Sequence, residues 1–253
     1  MIFALTFAIK NFAKTISTKR LNQNIMQAIA TLFPVIIHIL AGSLTLVAGP
    51  IAIFANQRYI RLHRIAGKTF FIAMNVVCIS AVIGFLKRPD VVFYQFLFGI
   101  AVLVYAGILR GVRAIKIMKG SEVVRFDFVY TAFLGAFSAW MLGMSVWHLS
   151  RGTMIAFPIL FGIFGLGALK DATDNYKYFS NPELLSKIAW LKIHVQSMLG
   201  AFIASTTAFT VNTANYLPWY IQWFGPTLML LPLQIFWGLK FKRQIQKQEM
   251  QRV

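Results

Sequence analysis

The residues best suited to chemistry in this chain are its four histidines, His38, His63, His148 and His194. Each lies in or beside a different apolar stretch. A neutral imidazole has one nitrogen lone pair that can ligate a metal or accept a proton. Ionisable groups at membrane depth are costly, which makes them functional candidates by default. At 100° per residue, His38 shares a helical stripe with Gly42, Thr45 and Gly49. Such a small, weakly polar face admits a flat cofactor, and it equally suits a small-residue packing seam between helices. His194 shares its stripe with Met198, Ala201, Ser205 and Asn212. Histidine followed by methionine four residues on is a metal-ligand spacing, although methionine at helical spacing more often fills a core. His63 stands in Arg61-Leu62-His63-Arg64-Ile65-Ala66-Gly67, at a basic mouth, and His148 stands beside Trp147 and Arg151, as an interfacial histidine would.

A second group is ionic. Arg110 and Arg113 share one apolar stretch, Asp127 lies near the start of the next, and Asp171 lies at the end of the one after that. Asp127 is expected to pair with Arg110 or Arg113 across a helix hairpin. The alternative is a charged network lining a substrate path. The chain has no His-Glu-x-x-His zinc motif, no serine nucleophile elbow and no intramembrane carboxylate pair, so whether it is an enzyme stays open.

The elements that hold these residues follow from composition. Of 253 residues 58% are apolar and 13% charged, with 24 Phe and one cysteine, Cys78. Soluble domains run near 45–50% apolar and about 25% charged, and a lone cysteine excludes a disulfide scaffold. Seven stretches reach or approach the roughly 20 apolar residues that cross a bilayer: 28–55, 65–86, 91–118, 123–149, 154–169, 188–211 and 219–239. The expected fold is all-α, a polytopic transmembrane helix bundle of about seven spans. Residues 1–26 form a segment suited to lying on the membrane surface, with Phe3, Phe7, Ile9 and Phe12 beside Lys10, Lys14, Lys19 and Arg20. Residues 27–240 are the transmembrane domain and 241–253 a basic cytoplasmic tail.

Charge gives the orientation. The formal net charge is +18, from 25 Lys and Arg against 7 acids. Seven spans place seven of the basic residues on the amino-terminal face and the other eighteen on the opposite one. The positive-inside rule then puts the N-terminus outside and the C-terminus in the cytoplasm, in a bacterial cytoplasmic (inner) membrane. Tyr216, Trp219, Tyr220 and Trp223, with Trp237 at the other end of the last span, suit an aromatic belt. The expected partners are the lipid bilayer and anionic lipid headgroups on the cytoplasmic face, and a second copy of the chain or a redox partner. Nucleic acid is not needed to explain the charge.

Three motifs carry a family resemblance: His38-x-x-x-Gly42 running on to Gly49-Pro50, His63-Arg64-x-x-Gly67, and Trp190-x-x-x-His194-x-x-x-Met198 followed by Ala204, Thr207-Ala208 and Val211-Asn212. The chain resembles a family of uncharacterised bacterial multi-pass membrane proteins, suspected of belonging with the two-haem membrane cytochromes of b type. The resemblance implies haem b, with His38, His63, His148 and His194 as axial ligands and Gly42 and Gly49 giving the cofactor room.

A b-type haem needs two imidazoles at similar depth on facing helices. At about 1.5 Å per residue, His38 and His148 lie outward of their spans' midpoints and His194 and His63 inward, with a mismatch of about 10 Å within each pair. Tilt of about 20° absorbs part of that. The rival readings are a small-molecule or ion transporter, with Pro34, Pro50, Pro226 and Pro232 breaking helices around a midplane site, and a non-catalytic accessory membrane subunit.

Overall fold

The structure is a computed structural model that describes residues 22, 23, 26, 33–55 and 58–250. The surface segment expected over 1–26 therefore lies almost wholly outside the described residues. In lipid every backbone N–H and C=O must be satisfied within the chain, and a long apolar run does so by forming a helix. Among the described residues seven long helices result: α1 Phe33–Ala55, α2 Ile60–Lys87, α3 Val92–Met118, α4 Arg125–Ser150, α5 Ala156–Ser180, α6 Lys187–Thr213 and α7 Trp219–Met250. Among the described residues there is no strand. α1 to α6 are each long and apolar enough to cross a membrane. α7 has 32 residues and two internal prolines. The chain is an integral, multi-pass membrane protein built as an all-α bundle.

Short connections alternate the helices in direction. One end of the bundle thus collects the basic residues flanking α1–α2, α3–α4 and α5–α6 and the end of α7. Two turns need glycine. Gly120 after α3 has φ +102° and Gly152 after α4 has φ +64°, the left-handed region that ends a helix without strain only at glycine. α6 starts where the Ser186 hydroxyl accepts the Ala189 N–H at 3.2 Å, a normal N-cap.

α3 lies at the centre. It packs on α2 and α6 and more lightly on α4 and α5. α4 and α5 form a tight antiparallel pair, and α7 lies along α6. α1 joins through Ala48, which shares a buried cluster with Phe70 and Met74 of α2, Ile108 of α3, and Ala201 and Phe202 of α6. α2 and α6 both flank α3 without packing extensively on each other. α1, α2, α3 and α6 therefore surround one core, with α2 facing α6 across it. A second cluster, of Phe96, Phe137, Met141, Leu160, Phe161 and Trp223, ties α3, α4, α5 and α7 together.

Several helices outrun the apolar stretches. α2 begins at Ile60 rather than 65, which brings His63 inside the helix. α5 continues to Ser180, past the expected end at 169, because Lys170 and Asp174 pair at i, i+4 (2.5 Å) and Asp171 and Asn175 find partners on its inner face. α7 runs on to Met250, through most of the stretch read as a basic tail, over Lys, Arg, Gln and Glu that favour helix. Pro50, Pro226 and Pro232 sit inside helices that continue through them, and Pro34 lies in the first turn of α1. The prolines do not break helices around a midplane site. Trp223 is not a belt residue either: its ring lies 5.0 Å from that of Phe96, nearly perpendicular, in the core.

Trp223 and Tyr216 test this placement. Trp223 is 6% exposed and Tyr216 84%. Trp223→Ala is predicted to cost about 3–5 kcal/mol through the cavity it leaves, read as an earlier thermal transition in detergent. Tyr216→Ala should leave the transition where it is.

Candidate functional site

Two histidines meet. His63 near the start of α2 and His194 in the second turn of α6 have ring centroids 6.4 Å apart and planes at 74°. Each ring is anchored on one of the other two helices of its group. His63 Nδ1 lies 2.8 Å from the Ala52 carbonyl of α1, and His194 Nδ1 lies 2.9 Å from the Gly111 carbonyl of α3. A carbonyl only accepts, so both Nδ1 atoms carry the proton and donate it. That fixes the tautomer and leaves the lone pair of each ring on Nε2. Neither Nε2 has a hydrogen-bond partner among the described residues.

Gly111 makes this contact possible. A Cβ at that position would stand 2.5 Å from Met198 Cε and 3.2 Å from Ser197 Cβ, so α3 and α6 come together only because it has none. Met198 is thus packed on Gly111 and against the core. One turn deeper the surroundings open. A Cβ at Gly67, four residues on from His63, or at Gly107, four before Gly111, would meet nothing within 4 Å.

The other two histidines remain apart from this pair and from each other. Ser80 Oγ gives its hydrogen to the Val76 and Val77 carbonyls, so His38 Nδ1 donates to it at 2.7 Å. His148 takes the opposite tautomer. Gln95 uses its amide nitrogen on the Pro89 carbonyl, so its oxygen accepts from His148 Nε2 at 3.0 Å. His148, two residues from the end of α4, is buried and stacked on Phe161 at 5.5 Å, and its Nδ1 has no partner among the described residues. Of the two pairs set by depth, the inner one, His63 with His194, has its rings in contact, although counting from the helix midpoints at 1.5 Å per residue still leaves them about 7 Å apart in depth. No contact joins His38 to His148 among the described residues.

Of the two glycines read as cofactor clearance, Gly49 is filled by the Phe202 ring, which crowds the space a Cβ would take. That stretch of α1 is a packing seam, although Gly42 faces open space.

The ionic group forms two pairs beside the histidines. Arg113 grips Asp127 with two bonds, Nε to Oδ1 at 2.6 Å and Nη2 to Oδ2 at 2.5 Å. Asp127 also accepts the Val124 N–H at 2.9 Å, capping α4. Arg110 goes elsewhere: Nη1 donates to Asp171 at 2.8 Å and Nε to Ser197 Oγ at 2.8 Å, with Asn175 Oδ1 at 3.5 Å. Neighbouring residues of α3 thus hold α6 twice, by the Arg110 side chain and by the Gly111 carbonyl. Sequence reading missed Gly111, Tyr130, Asn175 and Ser197. The signal was their spacing: Gly111 lies between the two arginines, Tyr130 three residues after Asp127, Asn175 four after Asp171, and Ser197 three after His194.

Fold and site together define a class, a multi-pass helical membrane protein with two histidine rings in edge contact inside one end of the bundle. No known protein family, no curated protein and no solved structure matches the chain.

Asp127 is wholly buried, so removing it strands a guanidinium. Asp127→Ala is predicted to cost about 3–5 kcal/mol. Adding Arg113→Met should recover most of the loss, and a double-mutant cycle on thermal stability reads the coupling directly.

Proposed function

We propose that the protein binds one b-type haem between His63 and His194 and works in membrane electron transfer. The observation that carries this is the separation of the two rings. Two imidazoles on opposite sides of one metal, each about 2.0–2.1 Å from it through nitrogen and with ring centres about 1.1 Å further out, have centroids about 6.3 Å apart. His63 and His194 are 6.4 Å apart. The donor set also fits. Both rings keep a free Nε2 and give Nδ1–H to a backbone carbonyl, the outer bond that orients and strengthens imidazole ligands. Their place in the bundle fits as well, since cofactor sites in helix bundles use side chains from facing helices. Gly67 and Gly107 leave space one turn deeper.

Bound there, a haem would supply a reversible one-electron couple. The chain's own part is to hold two neutral imidazoles in fixed tautomers and to exclude water from the core beside them. The three motifs resemble a family suspected of belonging with the two-haem b-type membrane cytochromes, and that resemblance implies the same group with one change. His38 and His148 are committed to Ser80 and Gln95 and do not meet, so one haem is proposed rather than two. The basic end of the bundle is proposed to face the cytoplasm of a bacterial inner membrane and to rest on anionic headgroups, following the positive-inside rule. A redox partner would dock at that end, where the pair lies nearest the surface.

The test is a visible spectrum of the purified protein after expression with haem precursor. A Soret band is expected, lost in His63→Ala and in His194→Ala and kept in His38→Ala and His148→Ala. A colourless wild-type protein contradicts the reading, and so does a band that survives loss of either inner histidine.

A further inference from the structure

The end of the bundle that gathers the basic residues also holds a cavity of about 340 Å³ between α5, α6 and α7. α5 ends at Ser180, and a short 3₁₀ turn, Pro182–Leu184, leads to Ser186 at the start of α6. α7 closes the far side because it stays folded and packed beyond its apolar run. Phe241 is buried against Trp237, with ring centroids 5.7 Å apart. Ile245 and Gln248, four and seven residues on from Phe241, reach the cavity along the same stripe. One turn deeper α6 and α7 meet at a glycine, where a Cβ on Gly238 would stand 3.3 Å from Gln196 Nε2.

Six polar side chains line this cavity: Tyr178, Glu183, Ser186, Lys192, Gln196 and Gln248. Among the described residues none of them bonds to another. Ser186 alone is engaged, its oxygen taking the Ala189 N–H, and its own hydrogen stays free to donate. The other carboxylates near this end of α3 to α6 are matched: Asp171 with Arg110, Asp127 with Arg113, Asp174 with Lys170. Glu183 and Lys192 instead border one space without forming an ion pair.

That lining sets the chemistry of the occupant. One carboxylate and one ammonium call for a cation and an anion in the same molecule. An anion alone would stand against Glu183, and a cation alone against Lys192. The two amides and two hydroxyls supply donors for an anion, and the amide oxygens supply acceptors for a cation that carries N–H. A trimethylammonium has no N–H to give. The rest of the wall is apolar, with Leu185, Ile193 and Ile245, and Leu184 stands 79% exposed at the rim. In a membrane protein the ends of the spans lie at headgroup level, so a lipid reaches this rim with its carbons against the leucines.

We propose that the cavity binds the headgroup of phosphatidylethanolamine, its ammonium on Glu183 and its phosphate on Lys192. The site uses other residues than the histidine pair and does not depend on what that pair binds. It also differs from the general contact of the basic end with anionic headgroups, because it selects a zwitterion.

Native mass spectrometry of the full-length protein, released from nanodiscs of equal parts phosphatidylethanolamine, phosphatidylcholine and phosphatidylglycerol, tests it. The wild type should keep one phosphatidylethanolamine per chain, enriched about tenfold over phosphatidylcholine, the factor that one charge-assisted hydrogen bond supplies. Glu183→Gln leaves Lys192 uncompensated and should turn the preference towards phosphatidylglycerol. Lys192→Gln should lose the retained lipid. Equal retention of phosphatidylethanolamine and phosphatidylcholine by the wild type overturns the proposal, and so does a preference unchanged in Glu183→Gln. A thermal transition of the delipidated protein that rises as much with soluble phosphoethanolamine as with the lipid overturns the choice of a lipid.

Discussion

The approach of α3 to α6 at Gly111 is the contact on which the rest of the site depends. With no side chain at that position, Ser197 and Met198 close onto the α3 backbone. The closeness brings the Gly111 carbonyl within reach of His194 and the Arg110 guanidinium within reach of Ser197. A larger residue there would push α6 away, and both bonds would break together. In lipid, association between helices comes from close packing and interhelical hydrogen bonds rather than from expelling water. Here both act at one glycine.

The polar interior follows from that contact. A guanidinium at membrane depth is tolerated when it is paired and its remaining donors are used. Arg110 reaches Asp171, Asn175 and Ser197, and so links α3 to α5 and α6 at once. Arg113 turns to Asp127 and the Glu122 carbonyl, and so holds the α3–α4 turn. Each pair is neutral, and together they fix the helices that present His194. On the other side, α1 positions His63 through the Ala52 carbonyl. The two imidazoles are therefore held from opposite walls of the four-helix group, each by a backbone atom that a side-chain substitution cannot remove.

Much of the fold was legible because a bilayer imposes one rule on long apolar runs. The number of long helices follows from it, and the turns fall near where the apolar runs stop. The ends did not, because a helix continues past the hydrocarbon wherever polar residues favour it, as Lys240 to Met250 do. The contact between His63 and His194 was hidden as well, because depth counted along straight helices from their midpoints does not carry how the helices tilt and pack. The candidate site was legible as residue types and not as pairings. Asp127 was expected to meet one of two arginines, and its choice of Arg113 is set by the short turn capped at Val124. Trp223 read as interfacial because its neighbours Tyr216 and Tyr220 do face outward, but only its contact with Phe96 shows that it turns inward.

The most direct test of the opposed pair is low-temperature electron paramagnetic resonance of the oxidised, haem-loaded protein, with haem quantified per chain. Two imidazoles with planes near perpendicular give a single, strongly anisotropic low-spin ferric signal, and the account predicts that signal at one haem per chain. A high-spin five-coordinate signal, two distinct low-spin species, or a low-spin signal unchanged in His63→Ala would contradict it.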